Sequence, residues 1–192
     1  MSKEGSQKFT SDFLAMLHIV MWNSLGMFYL DFIIPIVSYH TLNATTTQIG
    51  FIVSVQVIGF TISSTFVGWL TDKTSKKARL VLIGSFGRGI AYLVLYFAIL
   101  LKSLEILGLG TFTLGFGAGF FWIPLNTLIA QKSHLESRSH AYGLRENQMG
   151  IGTLIGSSIG FGFYGFGTAR GLVDTIIFIP IVVYAISNFY GG

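Results

Sequence analysis

Of the 192 residues, 52% are apolar and only 10% charged, and the mean hydropathy is +0.67; soluble domains carry about 25% charged residues, so a water-soluble globule would be short of polar surface. Zero cysteines exclude a disulfide framework, Cys-ligated zinc, iron–sulfur clusters and a thiol nucleophile. The net charge of +4 would suggest nucleic acid in a soluble protein, but here the basic residues sit in short loops between apolar stretches, where orientation in a membrane accounts for them.

Six apolar stretches divide the chain, each long enough to cross a hydrocarbon core of about 30 Å. They predict spans over about 13–38, 49–71, 80–101, 106–130, 149–167 and 172–188, with a helical start possible several residues before the fifth. The expectation is an all-α membrane protein, a single six-span bundle over 1–192. The first apolar run exceeds a signal-peptide core and no small-residue cleavage site follows it, so it reads as a retained span. With the N-terminus inside, the inner segments hold Lys3, Lys8, Lys73, Lys76, Lys77, Arg79, Lys132, Arg138 and Arg145, and the outer loops only Lys102 and Arg170. That bias predicts a cytoplasmic N-terminus, in a plasma-membrane protein.

In span one, Asp31 is the leading candidate for chemistry. An ionisable residue at this depth costs about 2.5 kcal/mol or more, so it normally faces a cavity or a partner. Ser24, Asp31 and Ser38 recur every seven residues, with Met27 and Pro35 flanking, which gives that helix one polar face. Such a carboxyl can pick up and release a proton near neutral pH; the alternative is a structural aspartate bonded to a neighbouring helix. Gln56 and Ser63 in span two form a weaker polar pair.

The loop between spans two and three is the most informative segment: Gly68, Asp72, Lys73, Ser75, Lys76, Lys77 and Arg79. Gly68, four residues before Asp72, allows close approach of span two to a neighbour. Asp72 lies amid cations near the start of the next helix, where the helix dipole favours a carboxylate. A generic positive-inside loop would need the cations but not this spacing. Arg88 falls about 12 Å along span three from its inner end. It could bind an anionic group, but snorkelling to the inner headgroups, with Tyr92 and Tyr96 on the same face, is the favoured reading.

Span four carries Gly115, Gly119, Trp122 and Asn126 on one stripe, with a kink expected at Pro124. Trp122 and Asn126 offer an aromatic wall and an amide for a substrate; equally, they join helices while the glycines pack. On span five Gln148, Gly152, Gly156, Gly160 and Tyr164 form a small-residue stripe suited to close helix packing. Arg145, Glu146 and Asn147 at its inner end are candidates for an intracellular gate. The histidines do not group as metal ligands, and neither a metal nor another cofactor is expected.

The loop resembles the signature of the major facilitator superfamily, Gly-x-x-x-Asp-(Arg/Lys)-x-Gly-(Arg/Lys)-(Arg/Lys): Gly68, Asp72, Lys73, Lys76 and Lys77 match, and Ser75 stands where the family has glycine. Asp31 and Pro35 are similar to the Asp-x-x-x-Pro element of drug–proton antiporters in that superfamily. Gly143, Gly152, Gly156 and Gly160 resemble the antiporter motif, with Ser157 in place of its proline. Gly115, Gly117 and Gly119 resemble the fourth helix, with Thr111 where an arginine is usual. The resemblance implies the N-terminal half of a twelve-helix fold, completed by a C-terminal half or a second six-span subunit, truncation of a longer chain being favoured. It implies alternating access about a site between the halves, with the Asp72 loop as a conformational latch.

The leading expectation is therefore a secondary transporter of a small solute, coupled to protons through Asp31, with efflux of drug-like or metabolite molecules ahead of import by symport. The runner-up is a six-span membrane subunit with a structural role and no transport of its own. An intramembrane enzyme finds no support in HExxH, paired intramembrane aspartates or cysteine, and no Walker loop points to an ATP-driven pump.

Overall fold

The computed structural model describes residues 9–171 and 178–192. Among them the only regular secondary structure is helical: α1 (Phe13–Ser24), α2 (Met27–His40), α3 (Thr46–Lys73), α4 (Lys77–Leu100), α5 (Leu104–Gln131), a 3-10 turn at Leu135–Ser137, α6 (Arg138–Arg170) and α7 (Phe178–Tyr190). Helices α3 to α6 are each long and apolar enough to cross a membrane, whereas α1, α2 and α7 are shorter apolar helices.

Local chemistry sets the ends of these rods. Thr45 caps α3 with a capping box, its hydroxyl accepting from the Gln48 amide at 3.3 Å while the Thr45 amide donates to Gln48 Oε1 at 2.8 Å. Ser103 does the same for α5, accepting from the Ile106 amide at 3.2 Å. Gly171, with φ of 68°, closes α6 in the left-handed conformation that only glycine adopts freely.

Two stretches differ from the sequence expectation. The run 13–38 is not one helix but two, interrupted at Leu25 and Gly26. Gly26 permits the break because the space a Cβ would take is filled by the Tyr92 hydroxyl, 2.7 Å away, and by the Tyr184 ring. The helix expected from 149 begins at Arg138, because the polar turn 138–148 winds as regular helix ahead of the apolar stretch. The first residues of the sixth expected span, 172–177, lie outside the described residues.

Packing follows the glycines. α5 lies against α3 and α4, α4 also against α7, and α6 against α1. Gly115 and Gly119 of α5 meet the Gln56 carbonyl and the Ser63 side chain of α3; Gly84 of α4 meets the Phe120–Phe121 backbone. On α6, Gly152 and Gly156 press on the Met21 and Leu25 carbonyls of α1, beside the helix break, and Gly160 is buried on the same stripe. Such approaches let backbones touch where lipid supplies no hydrophobic drive. Gly68, in contrast, has nothing within 4 Å of where its Cβ would stand, so the close neighbour expected there is not among the described residues.

Buried apolar side chains form two clusters, one around Tyr92, Leu95, Leu107, Ile33 and Tyr184, the other around Phe13, Val20, Phe121, Leu125 and Ile129. Between them runs a buried polar seam. Outside, α3 and α6 present large exposed apolar side chains, among them Phe51, Val57, Ile62, Phe66, Leu154 and Phe166, a surface suited to lipid or to another helical body.

Candidate functional site

The polar seam starts at α1. Asn23, fully buried, donates from Nδ2 to the Ile19 and Gly191 carbonyls at 3.2 and 3.3 Å, and its Oδ1 accepts from the Ser85 hydroxyl at 2.6 Å. Ser85 Oγ also lies 2.8 Å from the Asn188 carbonyl of α7, so this one hydroxyl on α4 bridges two other helices. One turn on, Arg88 donates from Nη2 to the Asn23 carbonyl at 2.9 Å. That carbonyl belongs to the last turn of α1, whose oxygens lose their helical partners at the break, and a guanidinium is well suited to the negative end of a helix.

Arg88 therefore does not snorkel. It is 3% exposed, its guanidinium 5.4 Å from the Phe121 ring centre, and its Nε and Nη1 make no hydrogen bond, with the Tyr92 hydroxyl alongside. The sequence reading failed because depth along a helix does not reveal which face the neighbours cover. The inward face of α4 is set by Gly84 and Gly89, which allow α5 and the Phe189 ring of α7 to close over it.

Arg88 lines a cavity of about 110 Å³ with Met27, Leu30, Asp31, Gln56, Tyr92, Leu114, Ala118 and Trp122. Four sequence candidates, Asp31, Gln56, Arg88 and Trp122, thus come from α2, α3, α4 and α5 to one place. Asp31 is exposed although it lies in mid-helix, Gln56 and Trp122 are half-buried, and Arg88 closes the buried end. No ion pair joins Asp31 to Arg88 among the described residues.

Other candidates fall elsewhere. Ser24 and Ser38 do not line the cavity with Asp31; both are buried and turn their hydroxyls back to the Val20 and Ile34 carbonyls at 2.7 Å. The break at Gly26 shifts the register between Ser24 and Asp31, whereas Ser38, seven residues after Asp31 in α2, is set apart from it by burial. Asn126 lies outside the cavity lining, where its backbone carbonyl accepts from Tyr142 Oη at 3.1 Å. The second face of Trp122 is covered by the Arg145 guanidinium at 5.0 Å, itself 2.8 Å from Glu146. Gly156, Ser158 and Gly160 spell Gly-x-Ser-x-Gly, but within unbroken helix α6, where the Ser158 hydroxyl bonds the Leu154 carbonyl at 2.8 Å and no nucleophile elbow can form.

In the loop after α3, Asp72 is exposed and makes no ion pair among the described residues, Lys73 lies over the Trp69 ring at 4.2 Å, and Lys77 Nζ donates to the Thr74 carbonyl at 3.0 Å. Lys76, Lys77 and Arg79 crowd the first turn of α4, the positive end of that helix. This is an electrostatically unfavourable grouping that an added carboxylate would relieve. Asn23, Ser85 and Asn188 escaped the sequence reading, since one small polar residue per span carries no periodic signal.

A bundle of apolar helices around a half-buried polar cavity, with acid and base on separate helices, defines the class: an integral, multi-pass membrane protein with a cavity between helices. The Major Facilitator Superfamily model matches residues 16–190, and the chain belongs to that family. It is similar to the multi-drug resistance efflux pump PmrA homolog of Lactococcus lactis subsp. lactis (strain IL1403), 32% identical over 155 residues. The match covers 78% of this chain and 37% of that protein, so the chain spans little more than a third of its relative.

Proposed function

We propose that this chain is the N-terminal six-helix half of a proton-coupled secondary transporter that exports small drug-like or metabolite molecules. The observation that carries the reading is the cavity itself. Asp31, Gln56, Arg88 and Trp122 converge from four helices, with the carboxyl on the exposed side, where a second half would complete the site. Membership of the family and the efflux activity named for the Lactococcus relative support export.

In this mechanism the two halves rock about the cavity, and Asp31 takes a proton from one side of the membrane and yields it to the other. The six-span count requires α1 and α2 to act as one broken crossing, their apolar lengths being too short singly. Discontinuous helices are common where transporters build substrate sites. The unpaired Asp72 and the basic first turn of α4 supply complementary charges for a latch against the other half. The Lys and Arg bias orients the N-terminus to the cytoplasm of a plasma-membrane protein.

The test is uptake of ethidium into inverted membrane vesicles carrying the protein, energised by an imposed pH gradient. Asp31→Asn should abolish gradient-driven uptake while the variant inserts at the normal level. Gradient-driven uptake unchanged in Asp31→Asn would remove Asp31 from the coupling.

A further inference from the structure

We propose that Arg88 is an anion-binding group that receives the carboxylate of a solute entering the cavity between α2, α3, α4 and α5. A guanidinium taken out of water normally spends its five donors on protein acceptors. Here one nitrogen, Nη2, is committed to the Asn23 carbonyl, which fixes the plane of the group, and Nε and Nη1 are left with no bond although the side chain is 97% buried. Nη2 shares an edge with each of them and keeps a second hydrogen, so Nη2 together with Nε or with Nη1, whichever edge that hydrogen lies on, makes the fork that matches the two oxygens of a carboxylate.

The surroundings favour an anion at that edge. Tyr92, fully buried, places its hydroxyl beside Arg88 and Asn188. Among the described residues no carboxylate forms an ion pair with Arg88, and the acid of the cavity lining, Asp31, stands on the exposed side. The 110 Å³ available suits an anionic head group, with the body of the solute extending toward Trp122 and the open side. The seam of Asn23, Ser85 and Asn188 holds the α1 carbonyl, and therefore Arg88, in place before any solute arrives. The inference rests on the transport reading and adds carboxylate-bearing solutes to those the cavity takes, but its test is one of binding and does not depend on flux.

Purified protein in detergent is titrated with sodium benzoate or with benzamide at matched ionic strength, and unfolding is followed by tryptophan fluorescence. Benzoate should raise the unfolding midpoint with an affinity about tenfold above that of benzamide, the margin expected of a charge-assisted bond. Arg88→Gln should erase the difference, and Arg88→Lys, which keeps the charge without the fork, should narrow it. Equal responses to the two probes in the unaltered protein, including none to either, overturn the proposal, as does an undiminished benzoate preference in Arg88→Gln. If Arg88→Gln does not fold, Arg88→Lys decides by the same comparison, with an unchanged preference refuting the fork. Failure of the ethidium assay would leave this result intact, and the reverse holds too.

Discussion

Replacing Gly156 with alanine tests the packing that shapes the cavity. A methyl group built there would overlap the Leu25 carbonyl and stand 2.7 Å from the Leu25 Cα, against an ordinary contact of 3.4 Å or more. The obstacle is backbone, so no side-chain rotation relieves it, and α6 must back away from α1 by at least several tenths of an ångström. Overpacking of this kind costs about 1–3 kcal/mol. Exchanging a helical glycine for alanine returns about 0.5–1 kcal/mol, so the net loss is at most about 2.5 kcal/mol. Gly162, on the same helix, has nothing within 4 Å of its would-be Cβ, and alanine there keeps the gain without the clash. The helix gain is common to both, so the two variants should differ by the overpacking cost, roughly 1–3 kcal/mol, or about 2–12 °C in melting temperature for a chain of this size. Thermal unfolding of the purified variants in detergent measures it. Gly156→Ala melting at or above Gly162→Ala would refute the claim that α6 and α1 meet backbone to backbone at the helix break.

Three further outcomes are expected. Tyr184→Phe removes the hydroxyl that donates to the Gly156 carbonyl at 2.6 Å, and should lower stability by about 0.5–1.5 kcal/mol in the same melting assay. Asn23→Ala leaves the backbone carbonyl for Arg88 but strips the side-chain acceptor from Ser85, and a loss of about 1–3 kcal/mol should accompany a weaker benzoate preference. Before α1, Lys132 and Thr10 hold the exposed Asp12 carboxyl below its ordinary value. A group lowered in the folded state stabilises it above the ordinary aspartate value and loses that contribution as pH falls through its folded value. A spin label at Ser11→Cys should therefore keep constant mobility from pH 8 to 6 and loosen only in acid below about pH 4; loosening near neutrality would contradict the assignment.

Charge scarcity and long apolar runs dictated much of this protein without any coordinates, because a chain unable to cover itself with polar groups must satisfy its backbone within helices in lipid. The loop of Gly68, Asp72 and Lys73 and the isolated Asp31 were legible for a related reason. Polar residues are costly at such positions, so each one present stands out against an apolar background.

Tertiary structure alone decided which of those polar groups meet. Asp31, Gln56, Arg88 and Trp122 share a cavity because glycines on α4 and α5 bring backbones together and because α1 breaks at Gly26. No periodicity within one helix encodes a convergence of four. The same packing turned Arg88 inward, returned Ser24 and Ser38 to their own helices, and assembled Asn23, Ser85 and Asn188 from the beginning, middle and end of the chain. Helical pattern fixes which residues lie on a common face, whereas the neighbour that covers the face is chosen by close packing across the whole bundle.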